Sequence, residues 1–262
     1  MQDRHADRKR YFREQSTSTE RFVIPYIRSE VNLGQDTRVL EVGCGEGGNL
    51  VPFLEHVREV VGVDISPNKV QKAQDYLSDA IATGHCRILE SDIRSTSVQD
   101  IGQFDLIFLR DVIEHIPEQH LFLRDIRPYL KPHGVIFFAF PPWYMPFGGH
   151  QQVCRNKLLS VLPYTHLLPR ILYERLLSLG GESTATQQGL MEIRDTGITI
   201  ERFRKIVDEQ GYQIVKEDLF LFNPNYEIKF GLKGRKQLPI LRSIPYVRNF
   251  YTTCMYAVIR AR

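Results

Sequence analysis

The sequence holds one tryptophan in 262 residues, and its four cysteines, Cys44, Cys86, Cys154 and Cys254, are widely scattered. No CxxC pair is present, so neither a disulfide frame nor a cysteine-based zinc site is expected, and the thiols read as reduced. No apolar run is long enough to span a bilayer. The N-terminus, MQDRHADRKR, is charged with no apolar core behind it. No signal peptide is visible, and a cytoplasmic location is expected. The net charge of +3 is too small to argue for a nucleic-acid binder. There are no internal repeats. What is present is ordinary globular material, 42% hydrophobic and 25% charged. The length suits one large α/β domain, or a domain with a lid.

The chain is organised around RVLEVGCGEGGNL, residues 38–50. Val39, Leu40 and Val42 form a short apolar run fit for a buried strand. Gly43, Gly45, Gly47 and Gly48 then mark a turn that needs positive φ or a close approach. NLVPFLEH, residues 49–56, reads as a helix. Strand, glycine loop and helix make a nucleotide-type site at the carboxyl end of a parallel strand.

The rest of the chain continues the alternation. EVVGV (59–63) is a second strand ending at Asp64, and Ser66-Pro67 opens a helix to about Ala82 with Ser66 as its N-cap. Cys86–Leu89, Phe104–Leu109 and Val135–Phe140 are strands three to five, with a helix at about 117–129 and a turn at Lys131–Gly134. The expected fold class is α/β, a doubly wound, Rossmann-like, seven-stranded, mostly parallel sheet. Strand six is Tyr212–Phe222 and strand seven Tyr251–Arg260, as an antiparallel edge hairpin. Residues 1–36 read as an N-terminal helical flap in which Tyr11 or Gln15 closes over a ligand. Residues 37–140 read as the cofactor-binding core, and 199–262 as its C-terminal part, beginning with a helix from Thr199 to Gln210. Residues 141–198 are too long for a simple loop and read as a lid or substrate insertion of two short helical stretches and a polar link, GGESTATQQG.

Gly43, Gly45 and Gly48 satisfy GxGxxG, which alone is a weak signal and admits a nicotinamide-binding domain. Asp64, ending the second strand, suits the ribose diol of either nicotinamide or S-adenosylmethionine. Glu41 would face a pyrophosphate poorly, and Asp92 is placed to accept from an adenine amino group. A sulfonium ligand without phosphate suits such acids. VLEVGCGEGG, VVGVDIS, SDI and FDLIFLRDVIEHI together resemble, in order and spacing, the successive motifs of the class I S-adenosylmethionine-dependent methyltransferases. The resemblance covers residues 38–140. It implies S-adenosyl-L-methionine as cofactor, with Glu41, Gly43 and Gly45 on the methionine and ribose side and Asp64 on the ribose hydroxyls. It further implies Ile65 packing on the adenine, Asp92 and Ile93 reading its edge, and Arg110 near the methionine moiety.

His115 reads as a structural hydrogen-bonding residue, and His115, Glu118 and His120 lack ligand spacing, so no metal is expected. Pro141-Pro142-Trp143 is similar to the (N/D)PP(Y/F/W) of amino-methylating enzymes. It follows the wrong strand, and Phe140 replaces the acid or amide, so nucleobase N-methylation is rejected. Gly148-Gly149-His150-Gln151 is the sharpest catalytic candidate: the glycines let the backbone approach a ligand, and His150 would take a proton from an attacking hydroxyl. The expected activity is methyl transfer to a small or medium acceptor, most simply at a hydroxyl oxygen. Trp143, Tyr144, Phe147, Tyr164 and Tyr173 suit a sugar, aromatic or lipid-linked compound, and nucleic acid is not expected. The alternatives are a non-catalytic module that keeps the cofactor and, less favoured for want of a Tyr-x-x-x-Lys pair, an NAD-dependent oxidoreductase. Lys229, Lys233, Arg235, Lys236, Arg242 and Arg248, with no acid among them, read as a solvated loop; peripheral membrane contact is the functional alternative. Oligomeric state is not legible.

Overall fold

Parallel pairing of apolar strands builds the centre of the molecule. The computed structural model describes residues 7–262; the first six residues of the expected flap lie outside the described ones. The strands are β1 (Arg38–Val42), β2 (Glu59–Asp64), β3 (Cys86–Glu90), β4 (Phe104–Arg110), β5 (Leu130–Phe140), β6 (Tyr212–Phe222), β7 (Arg235–Lys236) and β8 (Cys254–Ala261). They form one sheet of order β3-β2-β1-β4-β5-β8-β6-β7. β1 to β5 are parallel, and β8 joins β5 antiparallel with Phe140 opposite Met255. The eighth strand, β7, is a two-residue addition to the expected seven, at the edge beside β6. Lys131–Gly134 is not a turn: it belongs to β5, whose register against β4 shifts between Phe104 and Leu106.

Helices cover both faces. We number the main ones α1 (Arg8–Ser18), α2 (Pro67–Tyr76), α3 (Gln119–Ile126), α4 (Lys157–Val161), α5 (Arg170–Leu179), α6 (Thr184–Thr196), α7 (Ile200–Glu209) and α8 (Pro239–Ser243). On one face α3 and α7 bury Phe122, Ile126, Phe203 and Val207 against the sheet; on the other, Val23, Ile27, Phe53 and Val70 do the same. Both side chains of each strand pair are thus covered, as a parallel sheet requires.

Four local expectations change. Residues 49–56 form turns around a 3-10 segment, Val51–Phe53, rather than an α-helix; bonds such as Phe53 N–H to Leu50 O and Leu54 N–H to Val51 O keep the three-residue spacing. The Ser66 side chain does not cap α2; its backbone N–H instead donates to Asp64 Oδ1 at 2.9 Å. The helix after it breaks at Leu77 and resumes at Ser78–Ala82. The polar link GGESTATQQG is largely helical, because α6 carries Leu190, Met191 and Ile193 onto buried positions. Segment 141–198 has its own small core of Cys154, Leu159, Tyr173, Leu177, Leu190 and Met191. All four cysteines are buried, and none is in a disulfide.

Candidate functional site

The glycine loop is shaped by what packs on it. Gly43 has φ +72°, and a Cβ there would sit 2.6 Å from the Val112 side chain. Gly48 lies under α1: a Cβ would meet Phe12 O at 2.7 Å and the Gln15 amide at 2.9 Å. The N-terminal helix therefore rests directly on the loop, and the missing side chain is what lets it.

A cavity of ≈ 360 Å³ opens at the carboxyl ends of β1, β2, β3 and β4, a size suited to a nucleoside-like ligand. Of the sequence-derived residues, Gly43, Asp64, Ile65, Asp92 and Ile93 lie on its wall. Asp64 is nearly buried and is fixed by two backbone donors, Gly45 N–H to Oδ2 and Ser66 N–H to Oδ1, each at 2.9 Å. Gly45 thus serves the site by aiming Asp64. Ile65 is 75% exposed, an apolar platform with no protein cover. Asp92 is forked by Arg94 at 2.7 Å, and that bond holds its carboxyl below the usual range. Apolar Ile93, Ile116, Pro117 and Phe122 complete the wall.

Glu41 and Arg110 lie off this wall. Glu41 is fully buried; Oε1 accepts from Asn49 Nδ2 at 2.7 Å, and Oε2 has no hydrogen-bond partner. Burial, helped by Asp64, pushes its carboxyl up to about 8 against the opposing pull of Asn49 and Arg110. Arg110 Nη1 donates to Thr19 Oγ1 and Asn49 Oδ1, both at 3.1 Å, and borders a small pocket with Tyr11, Gln15 and Asp111. The two flap residues named from the sequence meet the site there. Asp111 was not singled out from the sequence. It has φ +54° and lines both the main cavity and the small pocket. Its signal is an acid directly after the fourth strand.

His150 also stands off the wall. Gly148 and Gly149 pack on protein, not toward a ligand: added Cβ atoms would fall 2.2 Å from Trp143 O and from His166 Cβ. They permit a tight turn that carries His150 at φ +57°. Its Nε2 is 3.8 Å from Glu114 Oε1, and its ring meets His115, a wall residue, edge to face at 5.0 Å. Burial, then His115, lowers His150 to about 4, so it is a neutral imidazole at physiological pH. Both Glu114 oxygens are buried without a hydrogen-bond partner, and burial holds that carboxyl well above its ordinary value. Glu114, His115 and His150 are the one trio with metal-ligand donor chemistry among the described residues. Glu118 and His120, considered beside His115 from the sequence, are not its partners here; its neighbours are Glu114 and His150 of segment 141–198. Segment 141–198 closes back on this cluster through Thr196, whose hydroxyl donates to Glu114 O.

Residues 40–138 match a family profile described as a methyltransferase domain. The chain superposes on a S-adenosylmethionine-dependent methyltransferase from Clostridium acetobutylicum with a TM-score of 0.58 at 12% identity, covering 94% of this chain and 92% of that one. Over residues 40–138 the chain is similar to a methyltransferase domain, and as a whole it has the fold of that solved methyltransferase. Two curated relatives are ubiquinone biosynthesis O-methyltransferases. The one from Nitrobacter winogradskyi is 34% identical over 38% of this chain and 36% of its own length. The one from Bartonella tribocorum is 27% identical over 69% and 71%. The matched stretch thus spans about a third of the former protein. The cavity wall has donor chemistry that fits S-adenosylmethionine: a fixed carboxylate able to accept from a ribose diol and an apolar platform beside it. The likeness to methyltransferases favours S-adenosylmethionine over a nicotinamide cofactor at the glycine loop.

Proposed function

We propose that the chain transfers a methyl group from S-adenosylmethionine to a hydroxyl oxygen of a small or medium acceptor. The observation that carries this reading is Asp64, held by two backbone N–H groups on the wall of a cavity bordered by Ile65, Asp92 and Ile93. S-adenosylmethionine, when bound, supplies an electrophilic methyl carbon. Asp64 would hold its ribose hydroxyls, Ile65 and Ile93 its adenine faces, and Asp92 the adenine amino edge. Gly43 and Gly45 leave room for the backbone beside it, with Glu41 and Arg110 supporting the methionine end from beneath.

The acceptor would enter beside His115, under segment 141–198 acting as a lid. His150 would receive the hydroxyl proton. Its imidazole is neutral, and the adjoining Glu114 carboxyl can share the charge that develops. The main contribution of the protein is alignment and exclusion of water, for which about 7 kcal/mol or more is available from positioning. The aromatic content of the lid favours a sugar, aromatic or lipid-linked acceptor. A ubiquinone-type O-methyl acceptor in the relatives supports oxygen as the methylated atom.

The first test is calorimetric titration with S-adenosylmethionine, with NAD as control. Binding that Asp64→Ala removes supports the reading. Binding of NAD instead, or of neither, sinks it. Methyl transfer to any acceptor in a screen rules out a non-catalytic binding module.

A further inference from the structure

Twenty large apolar side chains are exposed among the described residues, and all but Ile65 and Phe222 fall within 153–179 or 230–251. Such concentration is not how scattered surface apolar residues behave; it marks a contact surface. In the first segment α4 and α5 turn the wrong way for a solvated helix. Leu159, Tyr173 and Leu177 face inward, while Leu158, Val161, Ile171, Leu172 and Leu179 face out, the last 89% exposed. In the second segment Leu238, Ile240, Ile244 and Tyr246 are exposed around α8, where a solvated basic loop was expected.

The two segments meet. Phe250 stacks on Tyr144 at 5.2 Å and touches Tyr164 at 6.3 Å. Both also leave from one edge of the sheet. The first follows Phe140 at the end of β5. The second enters β8 at Cys254, beside Met255, the partner of Phe140. That edge is where the cavity opens.

The charge on these segments is nearly all of one sign, with Glu174 as their one acid. No Asp or Glu occurs between Asp125 and Glu174, and none follows Glu227. Glu174 of α5 itself and acids from other elements meet part of this charge. Asp195 and Glu174 pair Arg170, Glu182 bonds the backbone at Arg155 and Asn156, Asp218 and Glu217 pair Lys236 and Arg242, and Glu201 pairs Arg248. Lys157, Arg175, Lys233 and Arg235 are exposed and have no ion pair among the described residues. Outward Leu and Ile, interfacial Tyr and unpaired cations together are the composition of a surface that lies in a lipid headgroup layer. A nucleic acid would use the cations but leave the aliphatic side chains without a partner.

We propose that the joined face of residues 153–179 and 230–251 docks on an anionic phospholipid bilayer, with the cavity edge toward the membrane. The proposal is independent of methyl transfer, since docking needs neither donor nor acceptor. The full chain is sedimented with vesicles of phosphatidylcholine alone and of phosphatidylcholine with phosphatidylglycerol, at low and high salt. Expected is binding at least tenfold tighter to the anionic vesicles, weakened by salt. Lys233→Glu should weaken it about fivefold or more, each cation near such a surface contributing roughly that factor. Ile171→Asp with Ile240→Asp should abolish binding while leaving the melting temperature and calorimetric S-adenosylmethionine binding unchanged. Absence of binding to every vesicle overturns the proposal. So does a dimer in light scattering that Ile171→Asp with Ile240→Asp dissociates, since the face would then be covered by a second copy. Binding that is indifferent to lipid charge, or untouched by the double substitution, overturns it as well.

Discussion

The Gly45 amide donates to the Asp64 carboxylate at 2.9 Å, so the acid that ends β2 and the loop that ends β1 are one unit. Removing Asp64 therefore costs the aim of the loop together with the ribose contact proposed for it.

Asp64→Ala should weaken S-adenosylmethionine binding by a hundredfold or more, since hydrogen bonds to a charged group contribute about 1.5–3 kcal/mol each. Asp64→Asn keeps the shape but has one acceptor oxygen for two backbone donors, and should fall between the two. Calorimetry orders the three proteins. An Asn variant as weak as Ala would mean that the loop geometry, not the ribose contact, dominates.

Glu41 gives a stability prediction with a defined sign. Its carboxyl is raised from 4.5 to about 8, so the folded chain holds a proton that the unfolded chain has lost across that window. The contribution is whole below the unfolded value and is lost as pH rises through about 8, at roughly 1.4 kcal/mol per pH unit. Glu41→Gln retains an acceptor for Asn49 and cannot ionise. Its melting temperature relative to the natural protein should climb from pH 5 to pH 8 and level beyond. A constant difference across that range would show that Glu41 is ionised in the folded state.

His150 should show itself in the pH profile. With its folded value near 4, the neutral base persists well below the ordinary histidine range, so the acid limb of kcat should lie near pH 4 rather than 6.5. For stability the sign is the reverse of Glu41: the unfolded chain takes up the proton between 6.5 and about 4, so His150 costs nothing above that window and costs more as pH falls through it. His150→Ala should slow turnover about a hundredfold or more with S-adenosylmethionine binding intact. EDTA should leave turnover unchanged; loss on chelation, restored by zinc, would reassign Glu114, His115 and His150 as ligands.

Gly48→Ala tests the seat of α1. The added methyl would sit 2.7 Å from Phe12 O, a backbone atom that only moves with its helix. Overpacking of this kind costs about 1–3 kcal/mol, read from urea denaturation. The loss should shrink when α1 is already loosened by Thr19→Val, which removes its bond to Arg110. Additive losses would show the two contacts to be independent.

The sheet was legible because its strands are continuous apolar runs, FDLIFL and VIFFAF among them, and because each motif acid falls at a strand end. Asp64, Asp92, Ile65 and Ile93 reached the cavity for that reason. What misled was local pattern without its tertiary partner. NLVPFLEH has helical composition yet closes three-residue turns under α1, and GGESTATQQG is polar yet continues into Leu190 and Ile193, which face the lid core. The Glu114–His150 approach joins the 3-10 turn after β4 to segment 141–198, and no spacing within either encodes it. Asp111 was passed over because its place on the cavity wall depends on the turn at φ +54° after β4, which an aspartate alone does not dictate.

The Tyr144–Phe250 stack has a mechanical meaning. Tyr144 lies four residues past the end of β5 and Phe250 four before the start of β8, so the ring pair fastens two chain segments that the sheet alone would leave free to part. Whatever grips one of them restrains the other, and the Thr196 hydroxyl carries that restraint to Glu114. If the outer face docks as proposed, its attachment bears through this stack and this hydroxyl on the turn that holds Glu114.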